Sequence, residues 1–146
     1  MAPTVLAQKV GGLLYAQDDC SRALGIELLE IKPGFARMRM KIRADMVNGH
    51  KTAHGGMIFT LADSSFAYAC NSHNQRAVAA GCSIEFLRAA QSGEVLTATG
   101  VEQSIIGRHG IYDVRVENQD GETVALFRGK STRIKGQFIA EDGAVQ

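Results

Sequence analysis

The chain has 146 residues, 45% of them apolar and 21% charged, with a formal net charge of +1. That is enough for one domain, residues 1–146, with a sizeable core of its own. A balance so near neutral, with no basic cluster interleaved with aromatics, excludes the footprint of a nucleic-acid binder, and no apolar run approaches the ~20 residues that span a bilayer. No basic and apolar leader opens the sequence. Cys20, Cys70 and Cys82 are odd in number and form no CxxC pair; Cys70 and Cys82 sit among apolar residues and read as packed thiols. The expected compartment is a reducing cytoplasm.

The opening run VLAQKVGGLLYAQ has loosely helical spacing, weakened by Gly11 and Gly12. DDCSRALG supplies an acidic start, a short helical turn and a stop at Gly25. GIELLEIKPG then reads as a strand ended by Pro33-Gly34. In FARMRMKI the residues Ala36, Met38, Met40 and Ile42 face one way, and Arg37, Arg39 and Lys41 the other. These two runs form a hairpin. A long apolar helix follows, beginning at about Gly56. Four further runs read as strands: VAAGCSIEFLRA, EVLTATGVEQSII, HGIYDVRVENQ and ETVALFRGKSTRI. Asp120-Gly121 marks a two-residue hairpin, and the last run closes the sheet. The tail after about Gly136 lacks pattern and is expected to fray. Strands this closely spaced leave no room for crossover helices. The expected fold is therefore α+β, a mostly antiparallel sheet wrapped around one long central helix.

That helix holds the informative residue. In the stretch from Asn48 to Cys70, NGHKTAHGGMIFTLADSSFAYAC, the one full carboxylate is Asp63. An ionised carboxylate among apolar neighbours is costly, so its retention points to a role. The paired glycines Gly55 and Gly56 mark where backbone must approach something closely. Helix N-termini leave N–H groups unpaired and carry partial positive charge, which suits a polarised carbonyl oxygen. Gly55 and Asp63 are eight residues apart, roughly 12 Å at ~1.5 Å per residue. Attack on a carbonyl needs roughly 3–3.5 Å. If both features serve one reaction, Asp63 must act on a carbonyl held by another copy of the chain. Two antiparallel helices related by a two-fold axis would make two such sites.

Other chemistries find less support. His50 and His54 are four apart but lie in a glycine-bearing loop, not on one helical face, so no metal is expected. His73 and His109 read as surface or turn positions. No GxSxG run supports a serine nucleophile. Cys70 follows the apolar face of the helix and reads as core. The turn GRHG at Gly107–Gly110 lacks the ending of a phosphate-binding loop.

The motifs NGH, HGG and LAD, with AGCSIEFLR at Ala80–Arg88 and a closing TVALFRGKSTRI, resemble the PaaI-type phenylacetate-degradation thioesterases. These are hotdog-fold acyl-CoA hydrolases, and the resemblance runs from about Tyr15 to Gly136. It implies an acyl-CoA substrate of aryl- or hydroxyarylacetyl type, no cofactor, a homodimer as the minimal active unit and a homotetramer beyond it. It also implies roles. The Gly55 N–H would polarise the thioester carbonyl, with Gly56 beside it. Asp63 of the partner subunit would act as nucleophile or general base. Asn48 and His54 would orient the reacting groups, and Ser64 would help hold the attacking group, although threonine is found there in some members. Arg88 and Arg108 are candidates for the CoA phosphates. A catalytically silent acyl-CoA-binding module and an acyl-CoA hydratase or dehydratase are the alternative readings. Retention of both Asp63 and the HGG run favours the thioesterase.

Overall fold

A computed structural model describes every residue from Met1 to Gln146. The elements are α1 (Pro3–Gln17), α2 (Asp19–Ala23), β1 (Glu27–Lys32), β2 (Phe35–Lys41), α3 (Gly55–Asn71), β3 (Ala77–Phe86), β4 (Val95–Ile106), β5 (His109–Glu117) and β6 (Thr123–Arg133). The six strands form one sheet in the order β1-β2-β4-β5-β6-β3, and every neighbouring pair is antiparallel. The sheet wraps around α3, which packs against strands from β2 to β6. This is the expected α+β hotdog arrangement. No helix is long and apolar enough to cross a membrane.

The alternation in β2 places Ala36, Met38 and Met40 at zero exposure, while Arg37 and Arg39 reach across to Glu30 and Glu27 on β1. Against the buried face, α3 lays Ile58, Leu61, Ala62, Ser65, Phe66 and Ala69. Burial of each large apolar side chain contributes about 1.5–3 kcal/mol. Two close contacts seat the helix. The Ser65 hydroxyl donates to the carbonyls of Ala36 and Ala98 on neighbouring strands. A Cβ on Gly129 would come within 2.8 Å of the Phe66 ring, so glycine there lets β6 approach α3. The opposite side of α3, with Thr60, Asp63, Ser64 and Ala67, is only half-buried. The sheet covers one side of the helix and leaves the other open.

Several expectations are corrected. α1 runs straight through Gly11 and Gly12. Gly11 faces β1, where a Cβ would meet Leu28 and Ile31 at 3.0–3.2 Å, so close packing outweighs poor helix propensity. The long helix begins at Gly55, in agreement with the expected start near Gly56. The β5–β6 connection is longer than two residues. Asn118 pairs with Glu122, and Gly121 takes φ +76° in the loop between them. The last strand does not close the sheet: β6 lies between β5 and β3, and the two edges are β1 and β3. Cys82, on that edge, is exposed and not packed, as is Cys20, while Cys70 is buried.

The tail after Gly136 is docked, not frayed. Asn74 accepts from the N–H groups of Phe138 and Ile139 and donates to the Ile139 carbonyl. Phe138 and Ile139 then bury themselves against Val10 of α1.

Candidate active site

The loop before α3 is organised by its own side chains. Asn48 Oδ1 accepts from the N–H groups of His50 and Thr52, and its Nδ2 donates to Thr52 Oγ1 at 3.1 Å. The Ala53 N–H donates to the Ala90 carbonyl, and the His54 N–H to the Met46 carbonyl. The loop is thus tied on one side to the segment after β3 and on the other to the short 3₁₀ turn at Ala44–Met46.

At the start of α3 the first-turn donors can be counted. His54 is the N-cap, and its Nδ1 accepts from the Gly56 N–H at 2.9 Å. With Nδ1 accepting, a neutral ring carries its proton on Nε2. The His54 carbonyl accepts from the N–H groups of Met57 and Ile58. The Gly55 N–H has no partner among the chain's hydrogen bonds. Sequence reasoning placed Gly55 and Gly56 together; here Gly56 is occupied by the cap and Gly55 is free. The capping arrangement is what holds the free donor in place.

Gly55 opens onto a pocket of about 350 Å3 lined with Asn48, Thr52, Ile58, Phe86, Leu87 and Arg88, among others. Phe86 and Leu87, at the end of β3, were not singled out in the sequence. They read there as ordinary strand residues, and only the register of β3 against β6 brings them beside the loop. A larger hollow, about 1080 Å3, lies on the outer face of the sheet. It contains none of the residues of the α3 loop. Its Arg128 and Asp113 are paired to each other at 2.6 and 2.8 Å, which holds the Asp113 carboxyl below the usual range.

Asp63 is half-buried on the open side of α3, eight residues beyond Gly55, and does not line its own chain's pocket. Burial raises its pKa above the ordinary aspartate value, and no cation offsets it. Ser64 donates to the Thr60 carbonyl at 2.7 Å, so its proton is committed to the helix backbone. Burial pushes the Cys70 thiol up to about 12, and burial and the Asp63 charge raise that of Cys82. Neither thiol is prepared as a nucleophile.

The two arginines are not brought together. Arg88 lines the pocket and pairs with Glu122 at 3.2 Å. Arg108 sits in the β4–β5 turn, next to His109, which aligns through Thr132 with Val78 near the start of β3. From there to the end of β3 is about 25 Å of strand. Among the histidines, His50 and His54 gather no further ligands, and no group of three or more His, Cys, Asp or Glu could hold a metal. His73 is partly buried, not a free surface residue, with Nε2 2.7 Å from Glu102. His109 is exposed beside Thr132.

A long helix wrapped by an antiparallel sheet is the hotdog arrangement, and a free N–H at the helix start with one carboxylate further along suits hydrolytic chemistry. Residues 50–125 match the family described as the thioesterase superfamily, and the chain belongs to that family. It is 48% identical, over 88% of its length and 91% of the relative's, to the acyl-coenzyme A thioesterase PaaI of Escherichia coli K12. The solved structure of E. coli PaaI, from the phenylacetic acid degradation operon, superposes with a TM-score of 0.92 at 45% identity, covering 93% of this chain and 99% of that one. A hypothetical thioesterase of Streptococcus pneumoniae TIGR4, solved with coenzyme A, has a TM-score of 0.73 at 27% identity, covering 77% of this chain and 90% of that one.

Proposed function

We propose that the protein hydrolyses acyl-CoA thioesters of aryl- or hydroxyarylacetyl type, releasing the free acid and CoA. The observation that carries this reading is the single unpaired N–H at Gly55, opening on an apolar pocket. That donor polarises the thioester carbonyl and stabilises the oxyanion; one such donor is worth about 2.7–4 kcal/mol of barrier. Asp63 of the partner subunit attacks the carbonyl carbon or takes a proton from an attacking water. In the first route loss of the thiolate leaves a mixed anhydride on Asp63, which water then hydrolyses to free the acid and the carboxylate; in the second the adduct of water expels the thiolate directly. Both routes break the C–S bond, consume one water and leave the thiolate to take up a proton. No metal or cofactor is needed, because the thioester carbonyl is already activated.

The Asn48 network holds the loop, and His54 fixes Gly56 so that Gly55 stays free. Ser64 supports the attacking side. Arg88 at the pocket, and Arg108 brought toward it from the partner by antiparallel pairing of two β3 strands, meet the CoA phosphates in this reading. Two features support a homodimer as the active unit. The β3 edge is unpaired on its outer side, with Val78 and Phe86 exposed. The Asp63 side of α3 is also open. Antiparallel pairing of two β3 edges buries both and carries each Asp63 toward the other chain's Gly55. Dimers pair again into a tetramer. The three unbridged cysteines fit a reducing, cytoplasmic setting.

The test is steady-state hydrolysis of phenylacetyl-, hydroxyphenylacetyl-, benzoyl- and straight-chain acyl-CoA, with released thiol measured for wild type and Asp63→Asn. Arylacetyl turnover that disappears in the variant is expected. Binding without turnover by the wild type would replace the enzyme with a silent acyl-CoA-binding module. Mixing Asp63→Asn chains with Gly55-impaired chains should recover activity in the mixed dimers if the site is shared.

A further inference from the structure

Gly55 does not owe its identity to backbone conformation. It opens an ordinary α-helix, and its φ is not in the left-handed region. The space around it is tight on one side, where a Cβ would require a neighbouring ring to give by a few tenths of an ångström. A Cβ on Gly55 would meet three atoms of the Phe86 ring, at 3.2, 3.5 and 3.6 Å, and nothing else as close. In a helix the Cα–Cβ direction tilts toward the N-terminus, and the first N–H groups point the same way. The ring and the free N–H therefore share one side of Gly55. A carbonyl oxygen accepting from that N–H at roughly 2.9 Å lies beside the ring. With the acyl side of the thioester turned toward the ring, the carbon next to the carbonyl lies beside it as well. Phe86 is 52% exposed in the single chain, on the β3 edge that the proposed dimer covers, and it makes no aromatic pair within its own chain.

We propose that Phe86 is a specificity-determining residue, whose ring gauges the bulk at the acyl carbon next to the thioester carbonyl. An unbranched CH2 at that carbon fits beside the ring. A branch there, or an aromatic ring attached directly to the carbonyl, collides with it. This rests on the acyl-CoA reading above, and it adds the feature by which the site separates acyl groups: substitution at one carbon, not overall size. It also suits glycine at position 55, where a Cβ would press on the ring that lies beside the donor.

The experiment compares kcat/KM for phenylacetyl-CoA, with a CH2 next to the carbonyl, and benzoyl-CoA, with the ring attached directly. Both are measured for wild type, Phe86→Leu and Phe86→Val, with melting curves to establish folding. Phe86 lies on the edge that pairs in the dimer, so the oligomeric state is measured for each variant, and two apolar replacements guard against one failing to fold or pair. The benzoyl-to-phenylacetyl ratio of kcat/KM is expected to rise at least tenfold in a folded variant. A ratio within twofold of wild type, in a variant that still hydrolyses phenylacetyl-CoA, overturns the role of Phe86 and leaves the thioesterase reading intact. A wild type that hydrolyses neither thioester, nor any other acyl-CoA, overturns both.

Discussion

The two ends of α3 are built on opposite principles. At the C-terminal end almost every polar group is matched. Asn71 donates to the carbonyls of Ala67 and Ala77 and accepts from the Ala77 N–H. Ser72 accepts from the Gly34 N–H and donates to the Ala69 carbonyl, and Asn74 holds the tail. At the N-terminal end the cap satisfies every first-turn donor except that of Gly55. One end anchors the helix to its surroundings. The other keeps one donor unpaired, and the rigidity of the first keeps the second in register. The free donor reflects the cap's arrangement, not looseness.

The largest test of that contrast removes the charge on the open side. Asp63→Asn is expected to lower kcat by roughly 10²–10⁴-fold, measured by thiol release at saturating substrate. The same variant should melt higher at neutral pH. The folded-state pKa of Asp63 is raised by burial, so the folded protein holds that proton more tightly than the unfolded chain. The ionised carboxylate therefore costs stability once pH rises through the raised pKa, and the amide does not. A lower Tm for the variant would show the carboxylate to be paired and structural. For activity the sign runs the other way. The carboxylate must be ionised, so kcat/KM should fall as pH drops through a value above 3.8, and that limb should vanish in any residual activity of the variant.

At the anchored end, Asn71→Ala removes the hydrogen bonds to the Ala67 and Ala77 carbonyls and from the Ala77 N–H, and leaves buried partners unmatched. A loss of about 2–4 kcal/mol in urea unfolding is expected, with kcat per folded site little changed. If kcat falls as steeply as stability, the two ends are not separable. His54→Ala should be milder in stability, about 0.5–2 kcal/mol as for other lost caps. It frees the Gly56 N–H and releases the geometry at Gly55, so KM and kcat should both worsen. Smallest of all, Asp113→Asn on the sheet's outer face breaks an exposed pair with Arg128 and should cost no more than about 1 kcal/mol, with activity unaffected.

How far the sequence reveals this contrast depends on the range of the forces involved. The alternation of Ala36, Met38 and Met40 is legible because strand periodicity is local. The burial of α3 and the oddity of Asp63 are legible for the same reason. A histidine beside glycines, such as His54, serves equally as a helix cap or beside the reacting group, and the sequence alone does not separate the two. What stays hidden depends on distant partners. Gly11 looks like a helix breaker until Leu28 and Ile31 lie against it. The tail looks unstructured until Asn74 reaches Phe138 and Ile139. The edge position of β3 follows from its pairing with β6, some forty residues on, which no local pattern announces. Phe86 acquires meaning only through that register.

The small cluster of Val10, Phe138 and Ile139 has a consequence in time. Its members are separated by nearly the whole chain. At the usual pace of synthesis, about 5–20 residues per second, Phe138 is made roughly 6–25 s after Val10. Through that interval α1 can lie against β1 but has nothing to cover its other side. The helix made first is therefore among the last parts to be sealed, and a nascent chain interrupted before Phe138 displays Val10 to whatever chaperone or neighbouring chain is at hand.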